Sequence, residues 1–230
     1  MVRRSFVPLW LISFSLGLIL QGILGAVGCT PASQAIAPGG SEIVVFVDFS
    51  QSIRTKDKGL FEQELATQIL PSLAPGDRIL IAPISDKTLT EFRPLAEADL
   101  PSQPKFNGWL DNLLKYKTQE KEVDRQVAKS KERLQAEVKE LFANHSGSPY
   151  TDIFSSLLLT QKLFHKAHRR KVLVLMSDMI EDYPPYRFDR LAWNSDTSQR
   201  LLTELDGKGL VPDLSGVCVY VAGASAKSPL

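Results

Sequence analysis

The chain has 230 residues, of which 43% are apolar and 23% are charged, proportions typical of a globular protein with a sizeable core. Its formal net charge of +1 gives no global reason to expect binding to nucleic acid or to an acidic partner. The two cysteines, Cys29 and Cys218, are too few for a disulfide framework. This length predicts one domain with an appendage, or at most two small domains.

Residues 1–28 have the composition of an export segment. Arg3 and Arg4 supply the positive start, residues 6–24 form an apolar body, and small residues lead to Cys29. This pattern resembles a bacterial lipoprotein signal, in which the cysteine is lipidated and becomes the first residue of the mature protein. An uncleaved membrane anchor is the alternative, because the apolar body approaches the roughly 17–25 residues that span a bilayer. Both interpretations place the rest of the chain in the cell envelope, attached to a membrane and facing outside the cytoplasm.

Residues 29–41 are small and rich in proline and glycine, and they predict a flexible tether. The apolar run at 43–47 then predicts a buried parallel strand that ends in the sequence DFSQS. This spacing lets Asp48, Ser50 and Ser52 converge on one point as the strand enters its loop. Hard oxygen groups suit Mg²⁺, which favours octahedral oxygen coordination. Open α/β sheets also bind their ligands at the carboxyl ends of the strands.

The segment after this strand predicts one helix and two further strands. Residues 57–70 carry their apolar side chains on one helical face, and residues 78–84 form a second buried apolar run. A turn then leads to residues 88–92, which predict a shorter strand and therefore an antiparallel hairpin at the edge of the sheet. Residues 94–104 are expected to be a connector.

Residues 109–142 predict a single long helix, within an insertion that spans 107–143. Most of its residues are charged, and its apolar positions form one narrow stripe: Val123, Val127, Leu134, Val138 and Leu141. One interpretation is a solvated helix that docks on the domain by one edge. The other is a protruding helix that binds a partner or dimerises, since so thin a stripe barely needs a core.

A second strand that ends in a carboxylate follows this insertion. Thr151 and Asp152 open a helix that runs to about residue 164, and either side chain is a natural N-cap. The apolar run at 172–176 then predicts a buried strand followed by Asp178. His165 and His168 lie between the two elements and have no third soft ligand nearby, so we expect them to bind no metal.

The last predicted elements are a short helix at 196–205 and a strand at 217–221. The order strand–helix–strand–strand–helix–strand–helix–strand predicts a doubly wound α/β fold. Its sheet is mostly parallel, with helices on both faces, one antiparallel edge strand and a long inserted helix.

These motifs, in this order, resemble the von Willebrand factor A (VWA) domain and its metal-ion-dependent adhesion site. That family carries Asp-x-Ser-x-Ser after the first strand, a threonine on a middle loop, and an aspartate after a later strand. The matching residues here are Asp48, Ser50, Ser52, Thr151 and Asp178. The resemblance covers residues 42–222, with 223–230 as a tail. The chain departs from the pattern in three ways. Met179 replaces the usual glycine, and Ser-Gly-Ser-Pro-Tyr replaces a glycine pair. The chain also has about five strands, without the closing helix and sixth strand that the family generally has.

The resemblance implies an adhesion function that depends on Mg²⁺ or another divalent cation such as Mn²⁺ or Ca²⁺. The hydroxyls of Ser50, Ser52 and Thr151 would bind the cation directly or nearly so, and both carboxylates directly or through water. Two carboxylates and three neutral hydroxyls only roughly balance a divalent charge, so the cation would stay electrophilic. The resemblance implies that it would complete its octahedron with an acidic side chain of a partner protein.

Enzymatic alternatives have less support in the sequence. A serine hydrolase would need a Gly-x-Ser-x-Gly elbow, which does not occur. Glycine-rich phosphate loops are also absent. An aspartyl phosphatase would typically need a second aspartate where Ser50 stands. We therefore expect a protein-binding module and not an enzyme. A metal-dependent hydrolase or phosphotransferase, and a VWA-like scaffold without a working metal site, remain the alternatives.

Overall fold

A computed structural model of the chain describes residues 39–86, 88–108, 112–145, 147–165 and 167–224, without the side chain of Asp189. The predicted export segment, Cys29 and nearly all of the tether lie outside the described residues. Among the helices that are described, none is both long enough and apolar enough to cross a membrane.

Seven strands occur in the described residues: β1 (Ser41–Asp48), β2 (Arg78–Ile84), β3 (Ala96–Asp99), β4 (Arg170–Met176), β5 (Asp182–Tyr183), β6 (Tyr186–Arg187) and β7 (Val217–Ala222). Five of them form the main sheet in the order β3-β2-β1-β4-β7, while β5 and β6 pair as a separate antiparallel hairpin. Every pair in the main sheet is parallel except β2 with β3. This confirms the predicted α/β class, with a mostly parallel sheet and one antiparallel edge strand.

The central strand β1 is apolar on both faces because both faces are covered. Val45 and Val47 point into one core cluster, whereas Val44 and Phe46 point into the other. Each of these four side chains is 2% exposed or less. A continuous apolar run is what a strand buried on both faces requires. The polar residues that follow β1 are thereby fixed at the carboxyl edge of the sheet.

The helices are α1 (Thr55–Glu64), α2 (Leu70–Ser72), α3 (Leu113–Asn144), α4 (Ile153–Phe164) and α5 (Ser195–Gly207). A π-helical stretch, Leu65–Ile69, joins α1 to α2, and a 3₁₀ turn, Phe188–Arg190, follows β6. Residues of α1 and α3 pack in the first core cluster, which lies on one face of the sheet. Leu159 and Phe164 of α4 pack in the cluster on the other face. Helices therefore cover both faces, as predicted.

The antiparallel edge strand lies at Ala96–Asp99 and not at 88–92, so that prediction is wrong. The Thr88 hydroxyl donates to the Ser85 carbonyl at 2.8 Å and accepts the Ser85 N–H at 3.0 Å. These bonds close a turn where the β-branched threonine had favoured a strand. The edge strand has the sequence AEAD, and alanine, glutamate and aspartate are all depleted in strands. Its small alanines are buried because they face the core.

The long helix α3 docks on the domain by one edge. Its N-terminus is capped by Asn112, whose side-chain oxygen accepts the Leu114 N–H at 2.8 Å. Val127, Leu134 and Val138 are at most 6% exposed and belong to the first core cluster. The helix lies against β3, α1 and α2. The docked interpretation, and not the protruding one, therefore describes this helix.

Candidate metal site

The loop after β1 folds back on the carboxylate that ends the strand. Asp48 is fully buried, and its Oδ1 accepts the Ser50 N–H at 2.8 Å. Its Oδ2 accepts the hydroxyl of Ser177 at 2.8 Å. The Oγ atoms of Ser50 and Ser52 lie 2.8 Å apart. The structure therefore brings these two hydroxyls together beside a carboxylate that is fixed from both sides.

The loop after β4 lies directly beside the loop after β1. Met176 is in register with Val47, so the two central strands end together. Ser177 follows and bridges to Asp48, and Asp178 comes next along the chain. Oδ1 of Asp178 accepts the Ile180 N–H at 3.0 Å. The fully buried Ser177 had no role in the sequence-based prediction, although it precedes the predicted aspartate.

The two carboxylates of this region are close enough to influence each other. Burial raises the pKa of the half-buried Asp178 above its ordinary value, although the Ile180 N–H acts in the opposite direction. The negative charges of Asp48 and Asp57 raise this pKa further. A bound cation would relieve this accumulation of like charge.

The loop before α4 is tied to both of the other loops. Gln51 donates its N–H to the Ser148 carbonyl at 3.2 Å, which joins this loop to the one after β1. Asp182 donates its N–H to the Thr151 carbonyl at 3.0 Å, which joins it to the segment after β4. Thr151 itself is 1% exposed. Asp152 is the N-cap of α4, because its Oδ1 accepts the Ser155 N–H at 2.9 Å.

Backbone geometry constrains the chain at Gly147 and Met179, which lie at two of the three departures from the expected pattern. A Cβ atom on Gly147 would lie 2.7 Å from the Phe49 carbonyl oxygen, so one glycine is still required where the Ser148 loop approaches the β1 loop. Met179 has a φ of 63°, in the left-handed region that favours glycine. A non-glycine residue there carries strain of about 1–2 kcal/mol. Met179 thus adopts the backbone conformation that the usual glycine would adopt without strain.

Glu181 is a functional candidate that the sequence did not reveal. It is 2% exposed, and its Oε2 accepts the N–H groups of Ile153 at 2.7 Å and Phe154 at 3.3 Å. Burial raises its pKa to about 8, against these two hydrogen bonds, and the charges of Asp152 and Asp182 contribute to the rise. Its partners are backbone N–H groups 28 and 27 residues earlier in the chain, and no local sequence motif predicts these hydrogen bonds.

The donor set at this edge suits a hard cation. Carboxylate and hydroxyl oxygens are the ligands that Mg²⁺ and Mn²⁺ prefer in proteins. In the part of the chain that the structure describes, no group of three or more histidine, cysteine, aspartate or glutamate side chains is placed to hold a metal. The candidate set differs in kind, because it combines two carboxylates with three hydroxyls. His165 and His168 lie between the end of α4 and the start of β4, at the opposite edge of the sheet.

No protein-family model matches the chain. No curated protein matches it either. Among solved structures, the chain is similar to the manganese-loaded TRAP protein of Plasmodium vivax, with 12% sequence identity and a TM-score of 0.32. This similarity covers 84% of this chain and 66% of that one. A TM-score of 0.32 is too low to establish a shared fold, so the fold class is assigned from the strand order and register described above.

Proposed function

We propose that residues 42–222 form a VWA-like module that binds a protein partner through a divalent cation. The cation would be Mg²⁺, or else Mn²⁺ or Ca²⁺. Its proposed ligands are Asp48, Ser50, Ser52, Thr151 and Asp178. The observation that carries the proposal is the joining of three loops at one edge of the sheet by the Gln51–Ser148, Ser177–Asp48 and Asp182–Thr151 hydrogen bonds.

The residues of the site would have different roles. Both oxygens of Asp48 already accept hydrogen bonds, so this carboxylate is oriented and suits contact through water. Ser50 and Ser52 present adjacent hydroxyls that suit direct contact. Asp178 is only half-buried and supplies the second negative charge. When bound, the cation would supply an electrophilic position for an acidic side chain of the partner.

We further propose that this module lies at a membrane surface outside the cytoplasm. The supporting observation is the sequence of residues 1–29, with its positive start, apolar body and Cys29. Stable attachment needs more than one acyl chain, as a lipoprotein has. Mass spectrometry of the mature N-terminus tests the lipoprotein interpretation: a lipidated Cys29 is expected, and an intact Met1 or an unmodified Cys29 would contradict that interpretation.

Calorimetric titration with Mg²⁺ tests the site. Asp178→Asn removes one negative charge with almost no change in shape, so it should greatly weaken Mg²⁺ binding while the protein stays folded. Asp99→Asn is the matched control, because Asp99 lies in register with Arg78 at the amino end of β2, and its side chain forms an ion pair with Arg169 away from the candidate site. It should bind Mg²⁺ like the wild type. Equal Mg²⁺ affinity in both variants would contradict the proposal.

Partner binding is tested by capture from the organism's own cell-envelope fraction. We expect capture with Mg²⁺ present, and its loss with a chelator or in Asp178→Asn. Capture that is unchanged by the chelator would favour a scaffold without a working metal site. Metal-dependent turnover of generic phosphate or ester substrates would instead favour the enzymatic alternative.

A further inference from the structure

The side chain of Glu181 links two of the three loops that form the candidate site. It lies three residues after Asp178, and one of its oxygens accepts the N–H groups of Ile153 and Phe154 at 2.7 and 3.3 Å. These N–H groups belong to the first turn of α4, which begins directly after the loop that carries Thr151. The Glu181 carboxylate therefore joins the Asp178 segment to the start of the Thr151 helix.

The backbone around Glu181 strengthens the same link. The neighbouring Asp182 donates its N–H to the Thr151 carbonyl at 3.0 Å. The carbonyl of Glu181 accepts the Phe188 N–H at 2.9 Å, which fixes this residue to the turn after β6. The backbone of Glu181 is thus bound to the turn after β6, while its side-chain carboxyl group is bound to the first turn of α4.

This role differs from that of a helix cap. The first N–H groups of a helix have no partner within it, and buried ones need an acceptor. Asp152 already meets part of this need from within the α4 segment, through the Ser155 N–H. Glu181 reaches the two preceding N–H groups, those of Ile153 and Phe154, from a separate loop, so its bonds fix the relative position of two segments.

We propose that Glu181 is a positioning residue that sets the separation of Thr151 from Asp178 and so the geometry of the cation site. This inference rests on the proposed function. Mg²⁺ demands near-ideal octahedral geometry with ligands at about 2.0–2.1 Å, so a small displacement of either segment weakens its binding. Residues that orient metal ligands typically change metal affinity by about 10- to 100-fold when they are replaced.

Two substitutions separate the loss of the hydrogen-bond acceptor from the loss of the ionisable group. Glu181→Ala removes the acceptor, and we expect it to weaken Mg²⁺ binding by about 10- to 100-fold. Glu181→Gln cannot ionise but keeps an acceptor oxygen at the same reach, so it should bind Mg²⁺ with nearly wild-type affinity. Leu134→Ala is the stability control, since Leu134 is buried in α3, a helix that supplies none of the proposed ligands. It should lower stability and leave Mg²⁺ affinity unchanged.

Amide hydrogen exchange without metal tests the link independently of the metal site. Exchange at Ile153 and Phe154 should accelerate in Glu181→Ala more than exchange elsewhere in α4, and Glu181→Gln should restore protection. If the wild type binds no Mg²⁺, the proposed function fails, while the exchange data still decide whether Glu181 holds the two segments. The inference is overturned by unchanged exchange or unchanged Mg²⁺ affinity in Glu181→Ala. It is also overturned if Glu181→Gln fails to rescue Mg²⁺ binding, or if Leu134→Ala weakens binding as much as Glu181→Ala does.

Discussion

Replacement of Leu134 by alanine tests whether the long helix α3 belongs to the core. Leu134 has no exposed surface and lies in the cluster that covers one face of the sheet. Truncation of a buried leucine removes its transfer free energy and leaves a cavity, which together cost about 2–5 kcal/mol. Because Leu134 is fully buried and belongs to the same core cluster as Val127 and Val138, we expect a loss of about 3 kcal/mol in the free energy of unfolding. Urea denaturation followed by circular dichroism measures it, with an unchanged slope showing that the same surface is exposed on unfolding.

The same helix supplies the control. Leu114 is 75% exposed near the start of α3, so Leu114→Ala should change the free energy of unfolding by less than about 0.5 kcal/mol. If Leu134→Ala were equally mild, the stripe of α3 would not be part of the core. The helix would then be a protruding element that the sheet does not need, and our account of the fold would be wrong on this point.

Two further predictions concern the loops around the site. The pKa of Glu181 is raised from 4.5 to about 8 in the folded protein, so its neutral form is favoured by folding and the free energy of unfolding should fall as the pH rises between these values. From pH 5 to pH 8 the loss should be about 3–4 kcal/mol. Urea denaturation at these two pH values should show a smaller difference in Glu181→Gln, and an equal difference in the variant would refute this. At Met179, both Met179→Gly and Met179→Ala lose the side chain, but only alanine keeps a Cβ at a φ of 63°. The glycine variant should therefore be more stable than the alanine variant by about 1 kcal/mol in thermal denaturation, and the opposite order would show that the left-handed conformation is not retained.

The strands that the sequence predicted well are those that are buried on both faces and therefore have continuous apolar sequences. The apolar runs that became β1, β2 and β4 have one explanation, because a strand covered on both faces is apolar throughout. The loops that carry Asp48 and Asp178 follow β1 and β4 at the same edge, since these adjacent parallel strands end together. The edge strand β3 left no such signal, because AEAD has low strand propensity and only its alanines face the core.

The parts that the sequence did not reveal depend on contacts between distant segments. Glu181 acts on backbone N–H groups, which every residue type except proline possesses, so no residue pattern marks its partners. Ser177 resembles any serine that follows a strand until its hydroxyl is seen on Asp48. Thr88 favoured a strand by propensity, but its hydroxyl hydrogen bonds close a turn.

The position of a bound cation tests the central claim most directly. Crystals grown with Mn²⁺, which prefers similar oxygen ligands and has a strong anomalous signal, would locate it without ambiguity. We predict one principal peak at the carboxyl edge of the sheet, contacting the hydroxyls of Ser50 and Ser52 and lying between Thr151 and Asp178. A principal peak elsewhere, or no peak at this edge at saturating Mn²⁺, would contradict the account.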